Sequence, residues 1–204
     1  MFNPLKPSQE INPSILYYGT PVILLSSWNE DGTTNLSPLS SSWALGRSIV
    51  LGIGQGGQAL ANLQERPDCV INVPGPDLWP AVERLAPFTG KEEVPAAKAA
   101  AGFTYKKDKF ETSNLTPVPS ISVQAARIAE CPLQIEACVR KITNPSSSDS
   151  FAIVETEAIR IHAHPDILLN ERHVDPAKWS PLIYNFRHYF GLGEELGKTF
   201  RSET

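Results

Sequence analysis

Long apolar runs are missing from this chain. None of its 204 residues sits in a stretch approaching the ~20 apolar residues that a membrane helix needs, so no membrane partner is expected. Positive charge is short as well. Eighteen Lys and Arg stand against 22 Asp and Glu, a formal net charge of −4. Binding to a phosphate backbone draws on clustered cations, so nucleic acid is not an expected partner. Cysteine is scarce: Cys69, Cys131 and Cys138 are odd in number and form no CxxC pair. That excludes a disulfide framework and points to free, buried thiols in a reducing, cytoplasmic compartment. Residues 1–7 lack the charged-then-apolar layout of a signal peptide. There is no GxSxG, no Ser-His-Asp order, no Walker loop and no internal repeat.

What the chain has in quantity is proline. Eighteen of them punctuate it and argue against a helical bundle. With 41% hydrophobic and 20% charged residues the composition is that of a globular protein. The length suits one domain, residues 1–204, with an excursion and a core large enough to need no staples. Residues 21–28 are short, apolar and β-branched and predict a buried strand. Asp31-Gly32 supplies a hairpin turn. Residues 33–43 return as a more polar strand that Pro38 makes an edge or forces out of the sheet. Residues 48–53 form a third strand. After the Gly54-Gln55-Gly56-Gly57 link, residues 58–66 carry helix formers until Pro67 ends them, and residues 69–73 form a short strand. An excursion over about 77–122 follows, with small helices through Leu85 and over 95–101 and a mostly looped remainder. Excursions this long usually serve function or act as a lid. Strands then resume over 133–142 and 151–163, joined by a loop at 144–150. The connections favour antiparallel pairing, and the expected fold is mainly β: a small barrel with peripheral helices.

Candidate chemistry is sparse. Gly52-Ile53-Gly54-Gln55-Gly56-Gly57 sits between a strand and a helix but does not match the dinucleotide fingerprint. A glycine-rich link opening a helix does offer unpaired N–H groups to a phosphate. Gln58 and Asn62, four apart, share one helix face. The run Asn35-Leu36-Ser37-Pro38-Leu39-Ser40-Ser41-Ser42 exposes hydroxyls and backbone groups that suit the edge of a planar heterocycle and a ribityl chain. From the residues alone, a serine-rich surface strand and an ordinary amphipathic helix are the readier account of these features. His162 and His164 share a strand face but lack further close ligands, so no metal is expected. Glu155 and Glu157 alternate with apolar residues and read as a solvated face.

The order of motifs resembles the flavin reductase-like, FMN-binding split-barrel family over nearly the whole chain. Asp31-Gly32, Asn35 and Ser37-Pro38-Leu39-Ser40 resemble its Asp-Gly-x-x-Asn and Ala/Ser-Pro-x-Ser, followed here by Ser41-Ser42-Trp43. Gly57-Gln58-Ala59-Leu60-Ala61-Asn62-Leu63 stands where the family has Lys-Asp-Thr-x-x-Asn-Ile. Cys69-Val70-Ile71-Asn72-Val73 matches its Val-x-Asn strand, and Arg127-Ile128-Ala129-Glu130-Cys131-Pro132 heads a strand containing Glu136. Tyr189-Phe190-Gly191-Leu192-Gly193 resembles its ending.

The resemblance implies a Greek-key split β-barrel with peripheral helices. It implies an FMN-binding oxidoreductase that passes a hydride from NAD(P)H to flavin and electrons onward to an acceptor the sequence does not name. A non-enzymatic electron carrier, or a barrel binding another planar ligand, is the alternative. No side chain need act as acid or base, although a histidine near the flavin suits proton transfer. Asn35, Ser37, Leu39, Ser40, Ser41 and Trp43 are expected along the ring and ribityl side, and Gln58, Ala59 and Asn62 at the ribityl-phosphate end. The family's lysine and threonine are Gly57 and Ala59 here, so the phosphate is expected to be met either by backbone amides or by a charge from Arg47, Arg187 or Lys198. A homodimer is implied, and the aromatic segment 179–190 is its expected interface.

Overall fold

The computed structural model describes residues 7–200; the opening residues 1–6 of the segment read above for a signal peptide lie outside it. Seven antiparallel strands make the main sheet. They are β1 (Ile23–Trp28), β2 (Thr34–Leu39), β3 (Ser42–Leu45), β4 (Ser48–Gly54), β5 (Asp68–Val73), β6 (Leu133–Thr143) and β7 (Phe151–Ala163). Their order is β2-β1-β5-β6-β7-β4-β3. The sheet curls into a half-barrel, so the fold is mainly β, as expected.

Residues 33–43 read as one strand in the sequence. The structure divides them, and the division shapes the molecule. β2 and β3 are opposite edges of the sheet, and the chain passes from one to the other through Ser40 and Ser41. Pro38 is tolerated because β2 is an edge, where one row of N–H groups has no partner to lose. At the far side Gly52 donates its N–H to the Ser41 carbonyl at 2.8 Å. A Cβ on Gly52 would lie 2.9 Å from that of Ser41, so only glycine permits this approach.

Alternation along β1 divides the core in two. Ile23 and Leu25 point inward, with Leu51, Ile53, Ile71 and Val154, onto Leu60 and Leu63 of α1 (Gln58–Glu65). Leu24 points the other way, onto Leu36, Leu85, Ile128 and Leu182. The helix expected through Leu85 begins at Trp79 (α2, Trp79–Leu85), after a 3₁₀ turn over Pro76–Leu78 that contains Asp77; no side chain caps α2. The rest of the excursion holds α3 (Ala96–Ala100) and α4 (Lys109–Ser113). α4 falls in the stretch that reads as loop in the sequence.

The segment 179–190 packs part of its apolar surface on its own chain and leaves Phe186 and Phe190 exposed. Ile183–Asn185 pairs with Tyr18–Pro21 and with His188–Phe190. Leu182 is buried, and Tyr184 and Tyr189 pack on the outer core.

One buried carboxylate fixes the loop ahead of β6. Glu136 is fully buried and accepts the backbone N–H groups of Ile121 and Ser122, with His162 Nε2 at 2.7 Å. Burial raises its pKa, but these hydrogen bonds outweigh burial and leave it below the usual carboxylate value. A group with a depressed folded pKa stabilises the fold above its unfolded pKa and loses that contribution as the pH falls through the folded one. We predict that Glu136→Gln costs roughly 1.5–3 kcal/mol at neutral pH in urea unfolding. The gap between wild type and variant should shrink in acid; a gap that widened there would contradict the assignment.

Candidate functional site

A cleft of about 330 Å³ opens where the end of β2, the start of α1 and the excursion meet. Ser37, Pro38, Leu39 and Ser40 form one side; Gly57, Gln58 and Ala59 form the next. The excursion adds Phe88, Thr89, Gly90, Lys98, Phe103 and Lys109, and Tyr184 and Tyr189 come from the C-terminal hairpin. Aromatic and aliphatic walls with a few hydroxyls and two ammonium groups are the lining that small-molecule sites use.

Of the nine residues singled out in the sequence, five meet in this cleft: Ser37, Leu39, Ser40, Gln58 and Ala59. Asn35 and Asn62 lie behind it, 2% and 0% exposed. Asn62 donates both amide hydrogens, to Ser27 Oγ at 3.0 Å and Asn29 Oδ1 at 2.8 Å. Its carbonyl accepts from Gln58 Nε2 at 2.8 Å. Asn35 donates to Ser37 Oγ at 3.2 Å and Ser27 Oγ at 3.4 Å. These carboxamides are therefore engaged with the protein and orient the residues that do face the cleft. Ser41 and Trp43 lie around the sheet edge, in a second and larger groove with Leu16, Tyr17, Tyr18, Val50, Phe151 and Ile153. Tyr17 and Ser41 hydroxyls are 2.7 Å apart there. The two depressions share Gly54.

None of the three residues expected to supply a charge lines the cleft. Arg47 caps the carbonyls of Ala158 and Ile159, while Arg187 and Lys198 are exposed. The cleft cations are Lys98 and Lys109. Lys109, 3% exposed, donates to Asn35 Oδ1 at 3.1 Å and the Leu36 carbonyl at 2.8 Å. Burial, with Lys98 adding repulsion, pushes its pKa down to about 8. Lys98 is lowered too, by burial and then by Lys91. Sequence reasoning missed both because neither belongs to a periodic pattern. The available signal was only that a long excursion tends to cover a site. Its close fit is visible at Gly90, where any Cβ would overlap Asn35 Oδ1.

The histidines stay outside the cleft. His162 holds Glu136, and His164 Nε2 is 2.9 Å from the Ala129 carbonyl. Among the described residues no group of three His, Cys, Asp or Glu side chains is placed to hold a metal ion. The three cysteines are free, two of them buried. No helix among the described residues is long and apolar enough to cross a membrane.

A curled antiparallel half-barrel whose helix-opening glycine link and serine-bearing edge border one cleft defines a flavoprotein-type split barrel. The comparisons place the chain within that class. Residues 15–193 match the flavin reductase like domain, and the chain belongs to that family. YdfE of Bacillus subtilis (strain 168), an uncharacterized protein, is 60% identical over 196 residues, 96% of this chain and 95% of its own. Flavoredoxin of Desulfovibrio vulgaris (Miyazaki F) superposes with a TM-score of 0.79 at 21% identity, covering 97% of this chain and 100% of that one. Component B of nitrilotriacetate monooxygenase from Bacillus cereus gives a TM-score of 0.74 at 16% identity, covering 95% and 100%. The NADH:FAD oxidoreductase SgcE6 of Streptomyces globisporus C-1027 gives 0.66 at 12%, covering 93% and 100%.

The burial of Asn62 generates a prediction. Asn62→Ala removes the partner of the Gln58 amide and of Asn29 Oδ1 and leaves Ser27 Oγ only the longer bond from Asn35. The protein without ligand should lose about 1–3 kcal/mol of stability in urea unfolding. Unchanged stability would show that water replaces the carboxamide and that the network positions nothing.

Proposed function

We propose that the cleft binds FMN and that the protein is an NAD(P)H-dependent flavin reductase-type oxidoreductase. One domain spanning the chain would carry the site, with the excursion as part of it. The observation that carries the reading is the cleft itself, where a hydroxyl-bearing strand edge, a helix start and aromatic walls converge. Family membership supports flavin as the ligand. The name of the Streptomyces relative supports NADH-type reductants and also admits FAD.

Bound flavin would supply the redox chemistry, accepting a hydride at N5. The chain's own residues bind, orient and shield. Ser37, Ser40 and Thr89 offer hydrogen bonds at the cleft wall. Phe88, Tyr184 and Tyr189 give apolar surface for a planar ring. Unpaired N–H groups at the start of α1, which has no side-chain cap, suit an anion. No acid or base is required of the protein. The free thiols support a cytoplasmic setting.

The test is direct. Protein purified without added cofactor should show flavin absorbance near its usual visible bands, and heat should release FMN, identified by mass. Anaerobic NADH or NADPH should bleach that absorbance. A colourless protein that takes up no flavin would contradict the binding reading. Coloured protein that neither nicotinamide bleaches would favour the carrier.

We further propose a homodimer. The support is the second groove, where Trp43 and Tyr18 are 58% and 76% exposed beside Leu16, adjoining the cleft at Gly54. Apolar patches of this kind mark association surfaces. Sedimentation should report a dimer at tens of micromolar, and Trp43→Glu should yield monomers of unchanged fold. A monomeric wild type with flavin bound would overturn this.

A further inference from the structure

The cleft holds two ammonium groups and no carboxylate to meet them. Lys98 reaches in from α3, and a Cβ on Gly57 would lie 3.2 Å from its Nζ. The charge therefore stands directly over the start of α1. The Phe103 ring, its centroid 5.6 Å from Nζ, holds it there. Lys109 reaches the same cleft from α4, and both of its acceptors are neutral. Among the described residues neither lysine forms an ion pair. The charge each one feels is another lysine, Lys91 on Lys98 and Lys98 on Lys109.

A buried cation without a counter-ion is costly, and two facing one cavity are more so. α1 adds to the same field: it has no side-chain cap and no acidic residue in its first turn, so its dipole and free N–H groups point at the same place unopposed. An arrangement of this kind reaches its lowest energy when an anion enters. Two ammonium groups set at different sides of one cleft match a multiply charged anion better than a single carboxylate.

We infer that Lys98 and Lys109, both carried by the excursion, form the phosphate-recognising pair of this cleft and take the phosphate monoester of the flavin. The inference rests on the flavin reading above and adds to it the residues that discriminate FMN from riboflavin. It also explains the excursion, which delivers charge to a helix start whose own residues, Gly57, Gln58 and Ala59, carry none. Gly57 is extended, at φ −86°, and a side chain there would crowd Lys98 Nζ, which would have to give by a few tenths of an ångström. The ammonium group is thus transferable between the two positions.

The experiment titrates ligand-free protein with FMN, FAD and riboflavin, following flavin fluorescence. Wild type, Lys98→Gln, Lys109→Met and the double variant Gly57→Lys with Lys98→Gln are compared. Lys98→Gln should weaken FMN binding roughly 10- to 100-fold, the loss of one charge-assisted contact, and leave riboflavin within twofold. The double variant should recover most of the FMN affinity. Lys109→Met should weaken FMN in the same selective way; should it fail to fold, Lys98→Gln, on the largely exposed α3, still decides. Equal losses for FMN and riboflavin, or none for either, would overturn the inference. FAD bound more tightly than FMN would overturn the monoester assignment. Riboflavin binding reports separately on the flavin reading. If wild type took up no flavin, inorganic phosphate would still test the pair: thermal protection of wild type that Lys98→Gln abolishes supports it, and protection that is absent or equal in both refutes it.

Discussion

The buried carboxamide of Asn62 holds helix, hairpin and cleft to one another. It sits one turn into α1, yet both its hydrogens go to the first hairpin, to Ser27 on β1 and Asn29 in the turn. Its oxygen receives Gln58, the first residue of the helix. The start of α1 is thereby fixed against the sheet rather than left to a flexible glycine link. Ser27 also receives Asn35, and Asn35 receives Lys109, so the same network reaches through β2 into the excursion. Ser27, Asn35, Asn62 and Lys109 are buried, where an unmet polar group would cost ~1–3 kcal/mol, while Asn29 and Gln58 are half-buried at the ends of the network.

The consequence is electrostatic. A chain with net charge −4 carries a cleft whose charged groups are both positive. Local geometry, not composition, sets that potential, and low-dielectric walls concentrate it. The Ser40–Ser41 crossing matters for the same reason. By sending the chain from one edge of the sheet to the other, it turns one polar run into two surfaces, the cleft and the apolar groove that meets it at Gly54.

Much of this was legible in the sequence because it was local. The apolar run of residues 21–28, the Asp31-Gly32 turn and the helix before Pro67 each follow from residues within reach of one another. Ser37, Leu39, Ser40, Gln58 and Ala59, which line the cleft, come from two such local segments. What escaped was non-local. Strand pattern does not say that residues 33–43 divide between two edges, so it does not show that Ser41 and Trp43 line the groove while Ser37 lines the cleft. Helix periodicity puts Asn62 on the Gln58 face, but only the packed hairpin shows that this face is buried. Lys98 lies 41 positions from Gly57 in an alanine-rich helix, and nothing in either segment announces their meeting.

The central claim is that one cleft, walled by the β2 edge, the α1 start and the excursion, receives the flavin. Hydrogen–deuterium exchange of the protein with and without saturating FMN measures this most directly. Slower exchange should appear in residues 37–40, in 55–60 and across 88–103, where backbone amides border the cleft. Protection confined to the groove segments 16–20, 41–45 and 151–153, or no difference anywhere, would contradict it.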